Sequence, residues 1–207
     1  MAAEGRKNAG RNNATAQRIL AATFRCIAEK GSAKVGLREI AEEAGVVLSQ
    51  LNYYFVNREK LFAAVLRMMK QEYLTNVEAQ MATHGTLQQK AHALIRYNRD
   101  LLVANQDIYR AFLDFFGLAL WSPSFQKDLN EFLDGVSLVL ASHMETATTV
   151  DIARNTFPVG TLSRTILATT FGIAMQYLMN PDRKELLDGF ELLSQIMPAE
   201  SPELRTA

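Results

Sequence analysis

Residues 37–55 read LREIAEEAGVVLSQLNYYF, and the fold turns on this stretch. Two short helices that cross at a tight corner need a small residue in the first helix where the second passes over it. They also need a glycine at the turn and an apolar residue after it to anchor the corner. Ala41, Gly45 and Val46 stand in those places. Ile40 and Ala44 of the first helix, with Leu51, Tyr54 and Phe55 of the second, then share a core with a helix that precedes them. Leu48, Ser49, Gln50, Asn52 and Tyr53 are left facing outward. This is the helix-turn-helix arrangement, whose second helix lies in the major groove of DNA and presents its N-terminal residues to base edges. Gln50 and Asn52 are suitable readers, because an amide bonds bidentately to adenine, and Tyr53 can reach a phosphate.

The pattern on either side fits such a head. A helix is expected over 15–30, with Ile19, Leu20, Phe24 and Ile27 on one side and Gly31 as its left-handed stop. Ahead of it, residues 1–12 lack apolar periodicity and read as a weakly basic, mobile arm. After the corner, a helix beginning at Arg58 continues to about Met81, roughly 35 Å at 1.5 Å per residue, long enough to link the head to the rest of the chain. Further helices are expected at 87–105, 107–120, 124–145, 161–179 and 183–197, with residues 146–160 as an exposed loop. No proline precedes Pro123 and no sustained strand-type alternation occurs. The chain therefore reads as all-α: a flexible arm (1–12), a helix-turn-helix domain (13–60), and a helical effector-binding and dimerisation domain (61–207).

Composition narrows the function. The 207 residues are 48% hydrophobic and 21% charged with 5 Pro, a globular balance. Zero net charge conceals an offset: residues 1–60 hold 10 Lys+Arg against 6 Asp+Glu, leaving 12 against 16 for the remainder. A basic front suits an anionic partner. One cysteine, Cys26, excludes an intramolecular disulfide, and the opening MAAEGRKNAGRNN lacks the apolar centre of a secretory signal, so a cytoplasmic setting is expected. The uncharged run 165–181 is too short and polar for a membrane span.

From Arg18 to Phe62 the chain resembles the TetR family of one-component transcriptional regulators. The resemblance rests on ILAATFRCIAEKG, then LREIAEEAGV, then LNYYF followed by NREKLF, in order and spacing. It implies DNA contacts at Arg38, at Leu48, Ser49, Gln50, Asn52 and Tyr53, and at Tyr54 and Arg58. Arg58 stands where the family usually has Lys, which keeps the phosphate charge. Two departures weaken helix caps: Gly36 replaces a common Ser or Thr, and Val47 replaces the residue that usually caps the recognition helix. Leu48 is apolar where a polar contact is common, and can meet a thymine methyl.

Beyond Met81 the resemblance is architectural, and the residues speak only through pattern. The helix DIYRAFLDFFGLAL is apolar nearly all round except for Asp107, Arg110 and Asp114. Phe112, Phe115, Phe116 and Trp121, with Met144 and Met175, can line a pocket for an apolar or amphipathic effector, although each reads equally well as plain core. Asn98 lies on an apolar stripe and is either a polar ligand contact or a hydrogen-bond partner of a neighbouring helix. The final two helices carry a small-residue ridge (Ala168, Gly172) and an apolar stripe (Phe190, Leu193, Met197), and the resemblance implies a four-helix homodimer interface there. Three histidines without metal-ligand spacing, and the absence of nucleophile or phosphate-loop motifs, argue against an enzyme, a metal site or a cofactor. The sequence thus points to a repressor that leaves a palindromic double-stranded DNA operator when a small molecule binds, with no membrane partner. The alternative is a helical small-molecule-binding or scaffold protein without DNA binding, which Val47 and Leu48 keep open.

Overall fold

The computed structural model describes residues 2–82, 86–142, 149–152 and 155–196. Along the chain run α1 (Ala2–Lys30), α2 (Leu37–Glu43), α3 (Leu48–Tyr54), α4 (Arg58–Ala82), α5 (Leu87–Ala104), α6 (Gln106–Ala119) and α7 (Pro123–Ser142). There follow a hairpin of β1 (Thr149–Ile152) and β2 (Asn155–Pro158), α8 (Val159–Met179), a 3-10 turn (Lys184–Leu187) and α9 (Asp188–Gln195). Residues divide into two compact units, Met1–Lys70 with Arg110–Asp128, and Gln71–Tyr109 with Leu129–Ala207. Among the described residues no helix is long and apolar enough to cross a membrane.

In the first unit the helix ends are set by backbone chemistry. Gly31 adopts φ 77°, and its N–H reaches the Ile27 carbonyl at 2.8 Å, closing α1 with a left-handed cap. Gly45, at φ 63°, ends α2. Its N–H bonds to Glu42 O at 3.0 Å while the Val46 N–H bonds to Ala41 O at 2.9 Å. This pair of bonds is a Schellman motif, so the corner of the helix-turn-helix is a helix stop built entirely from main chain. The small Ala41 and the apolar Val46 sit at its two ends, the places the sequence singles out. Ile19, Ile40 and Leu51, one from each of the first three helices, are fully buried together with Ala22. Truncating any of the three large side chains to alanine removes about 2–5 kcal/mol. Cys26 packs in α1 as a small apolar residue, and burial, aided by Glu39 and Glu43, pushes its thiol above the ordinary range. Phe112 and Phe115 of α6 are buried, and Phe115 stacks on Phe125 of α7 with centroids 5.8 Å apart.

The second unit is stapled by close approaches and buried polar bonds. A Cβ on Gly135 of α7 would lie 2.9 Å from Leu74 Cδ1 of α4, and one on Gly189 of α9 would lie 2.9 Å from Ile173 Cδ1 of α8. α5 begins with a capping box: the Gln89 N–H donates to Thr86 Oγ1, and the Thr86 N–H donates back to Gln89 Oε1. Lys90, nearly buried, donates from Nζ to the Met81 carbonyl at 3.2 Å near the C-terminal end of α4. The Ser137 and Ser163 hydroxyls join α7 to α8 at 2.6 Å.

Three expectations are revised. Helix α1 starts at Ala2, within the segment read as an arm, because Ala, Glu, Arg and Lys are good helix formers and no proline stops the backbone there. Part of the expected loop at 146–160 is an antiparallel hairpin pairing Thr149 with Pro158 and Ile152 with Asn155. The last expected helix opens as a 3-10 turn, and α proper starts at Asp188.

Candidate nucleic-acid interface and effector residues

Helix α3 has one fully buried side chain, Leu51. Turning about that anchor, Ser49, Asn52 and Tyr53 are exposed, Tyr53 at 76%, while Leu48 and Gln50 are half-buried. Arg38, at the start of α2, is exposed as well. Tyr53 and Tyr54 meet edge to face with centroids 5.3 Å apart, so the half-buried Tyr54 supports the exposed ring. Neither Gly36 nor Val47 supplies a side-chain cap, as their residue types dictate. Helix α4 does have a cap: Asn57 Oδ1 accepts from the Lys60 N–H at 2.9 Å.

Arg58 is exposed at the first turn of α4. Its guanidinium donates to the Ser32 carbonyl in the α1–α2 loop and lies over the Phe62 ring, 4.9 Å from the centroid. The Ser32 N–H donates to Asp114 Oδ2 of α6 at 2.7 Å. One residue on, Glu59 Oε1 accepts from the Ser124 hydroxyl of α7 at 2.6 Å. Lys30 pairs with Glu39, and Arg25 with Glu43 at 2.8 Å, joining α1 to α2 on the surface. The Lys30 hydrogen bond holds the Glu39 carboxyl below its usual range. Exposed pairs of this kind align helices more than they stabilise them. Ser32 and Asp114 have no place in the sequence-predicted set. Their signal is Asp114, a carboxylate in a helix otherwise apolar nearly all round.

The expected effector residues are dispersed. Phe112, Phe115, half-buried Phe116 and Trp121 belong to the first unit, Asn98 and Met175 to the second, and Met144 lies outside the described residues. Trp121 is 89% exposed and Met175 is exposed too, since Trp121 follows the end of α6 and Met175 lies off the buried stripe of α8. Asn98 is fully buried, and its Oδ1 accepts from Tyr73 of α4 at 2.9 Å and from Tyr109 of α6 at 2.8 Å. Its Nδ2 donates to Leu94 O at 2.8 Å. A ligand reaching Asn98 would have to displace one of these bonds. The Tyr73 ring also meets Phe132 and Tyr97 edge-on at 5.1 and 5.5 Å. Burial raises the phenols of Tyr73 and Tyr109 well above their ordinary range. Among the described residues no group of three His, Cys, Asp or Glu side chains is placed to hold a metal ion.

Of the expected dimer residues, Phe190 and Leu193 are buried within the chain, because their stripe of α9 faces inward. Leu192 and Ile196, on the neighbouring stripe, are each 61% exposed. With Phe157, Leu162, Gly189 and the Thr161, Thr165 and Thr169 row they line an open apolar groove of about 320 Å³ between α8 and α9. Ala168 is exposed and Gly172 half-exposed, and a Cβ at Gly172 would touch nothing within 4 Å. Met197 lies outside the described residues.

A three-helix head with a main-chain corner and an outward second helix defines a helix-turn-helix protein. Residues 19–65 match the family described as bacterial regulatory proteins, tetR family. HTH-type transcriptional regulator BetI of Brucella canis is 29% identical over 98 residues, 47% of this chain and 50% of BetI. The chain thus matches about half the length of its curated relatives. A solved TetR-family member from Streptomyces coelicolor is 25% identical with TM-score 0.66, covering 89% of this chain and 99% of that one. FadR from Bacillus subtilis, solved with stearoyl-CoA, has TM-score 0.69 at 20% identity over 88% and 99% of the two chains. Residues 19–65 thus carry the tetR-family segment, and the fold is that of the solved TetR-family member.

Proposed function

We propose that this protein is a homodimeric, ligand-responsive transcriptional repressor of the cytoplasm, which binds a palindromic double-stranded DNA operator and releases it when a small apolar or amphipathic molecule binds. The observation that carries the reading is the outward face of α3, where Ser49, Asn52 and Tyr53 stand exposed beside a rigid corner, with Arg38 and Arg58 exposed at the adjoining helix starts. Ser49, Gln50, Asn52 and Tyr53 read the half-site, Leu48 meets a thymine methyl, and Arg38, Tyr54 and Arg58 hold phosphates. A palindrome requires two heads spaced by about one DNA turn, roughly 34–36 Å, and hence a dimer. The exposed apolar groove of α8 and α9 suits a second copy of the chain as its cover, and Ala168 and Gly172 of α8 are the proposed small-residue contacts.

For the effector, the stearoyl-CoA held by FadR of Bacillus subtilis supports an amphipathic ligand. The aromatics of α6, Phe112, Phe115 and Phe116, are the proposed apolar contacts. A hundredfold loss of DNA affinity requires about 2.7 kcal/mol of preference for the DNA-free conformation.

The test is selection from a randomised DNA library, then footprinting upstream of the protein's own gene with and without a panel of amphipathic compounds. Gln50→Ala is expected to change sequence preference, and Arg58→Ala to weaken binding to every sequence with a shallower salt dependence. No sequence-specific binding at low salt would overturn the reading.

A further inference from the structure

Arg58 is held in place from a distance. Its guanidinium is fixed by two contacts, the Ser32 carbonyl and the face of Phe62. Ser32 is itself buried at the end of α1, directly after the left-handed Gly31. The Ser32 main chain is fastened on its other side by the Asp114 carboxylate, a short charge-assisted bond of 2.7 Å. A Cβ on Gly31 would lie 3.9 Å from the other oxygen of that carboxylate, so the loop lies directly against α6. The order of contacts is therefore Asp114, Ser32, Arg58, with a carboxylate taking the N–H of one residue and a guanidinium giving to its carbonyl. Both bonds act on the main chain of the same residue, so Ser32 is held between the carboxylate and the guanidinium. One of five guanidinium N–H groups suffices for the Ser32 carbonyl, which leaves donors for a phosphate.

We propose that Asp114 is a positioning residue for DNA binding: through Ser32 it fixes the α1–α2 loop that holds Arg58 ready for a DNA phosphate. The proposal rests on the DNA-binding function proposed for the head. It makes Asp114 a point at which α6 bears on the DNA affinity of the head, through its hydrogen bond to Ser32. It also predicts an effect opposite in sign to simple electrostatics. A carboxylate near a DNA-binding surface repels phosphates, and removing it should by charge alone tighten binding. Removing it as a positioning group should loosen binding.

The experiment compares Asp114→Asn, which loses the charge and keeps an oxygen acceptor, with Asp114→Ala, which loses both, in titrations of the full-length protein against its selected DNA over a range of salt. Asp114→Asn is expected to bind as tightly as the wild type or tighter. Asp114→Ala is expected to bind about tenfold more weakly, with the salt slope lowered by about one phosphate contact, as in Arg58→Ala. In an Arg58→Ala background the Asp114→Ala change should have no further effect, because the group it positions is gone. Should Asp114→Ala fail to fold, Asp114→Ser, whose hydroxyl is too short to reach the Ser32 N–H, gives the same comparison. Equal affinity for the alanine (or serine) and asparagine variants, an unchanged salt slope, or an undiminished effect in the Arg58→Ala background would each overturn the proposal. Absence of DNA binding by the wild type would instead overturn the proposed function.

Discussion

Two phenols and one amide form a buried polar group of the second unit. Tyr73 and Tyr109 both donate to Asn98 Oδ1, and Tyr109 also reaches the Asn98 main-chain carbonyl at 3.0 Å, so Asn98→Ala removes the shared side-chain acceptor while Tyr109 keeps a main-chain partner, at about 1–3 kcal/mol. A fall in stability of that size in urea unfolding is the expected result. The same burial fixes a pH dependence. Both phenols titrate higher folded than unfolded, so above about pH 10 the unfolded chain gives up protons that the folded chain keeps, and stability falls as pH rises. In an ultraviolet titration of phenolate absorbance, Tyr73 and Tyr109 should ionise only as the fold is lost, and Tyr73→Phe should remove one equivalent from that late step. An early, reversible titration of all six tyrosines in folded protein would contradict it. Asn98 was legible as a buried amide needing a partner, but two tyrosines on other helices are separated from it by sequence, and no local spacing announces them.

Among the elements, α2 and α3 show how little side-chain capping the head uses. Val47, 67% exposed at the N-cap with extended backbone (φ −77°, ψ 150°), bonds nothing with its side chain. Val47→Ser offers an oxygen to the first turn of α3 and is expected to raise stability by about 1 kcal/mol, read as a higher melting temperature. Gly45→Ala should lower it by about 1–2 kcal/mol; a Cβ there meets nothing within 4 Å, so the cost is the left-handed backbone alone. Equal melting temperatures for wild type and Gly45→Ala would refute that account. The helix ends most legible in the sequence were those with such a chemical stop, Gly31 and Gly45, and α3 itself follows from the spacing of Leu51 within it. The hairpin was not legible, since TVDI and NTFP supply four residues each, too few for alternation to stand out from a polar loop. Trp121 misleads for a related reason: its residue type suggests burial, but its position after the last turn of α6 leaves it in solvent.

At the scale of the whole molecule, the apolar stripe of the last helix was legible, but whether it turns inward was settled by packing. Gly189 lets α9 approach Ile173, and that approach buries Phe190 and Leu193 while leaving Leu192 and Ile196 outside. At the proposed dimer interface, Leu192→Asp combined with Ile196→Asp should therefore abolish self-association while the melting behaviour of the chain is kept, and light scattering at micromolar concentration reads the outcome. A dimer that survives both charges would move the interface elsewhere. The head meanwhile carries its own clock. Cys26 is the single thiol of the chain, buried among the first helices, and burial pushes the thiol above its ordinary range. A thiol reagent can consume it only in the moments when α1 and α2 part, so the speed of labelling counts those openings without any tag or mutation. Operator DNA, by favouring the closed head, should slow that clock.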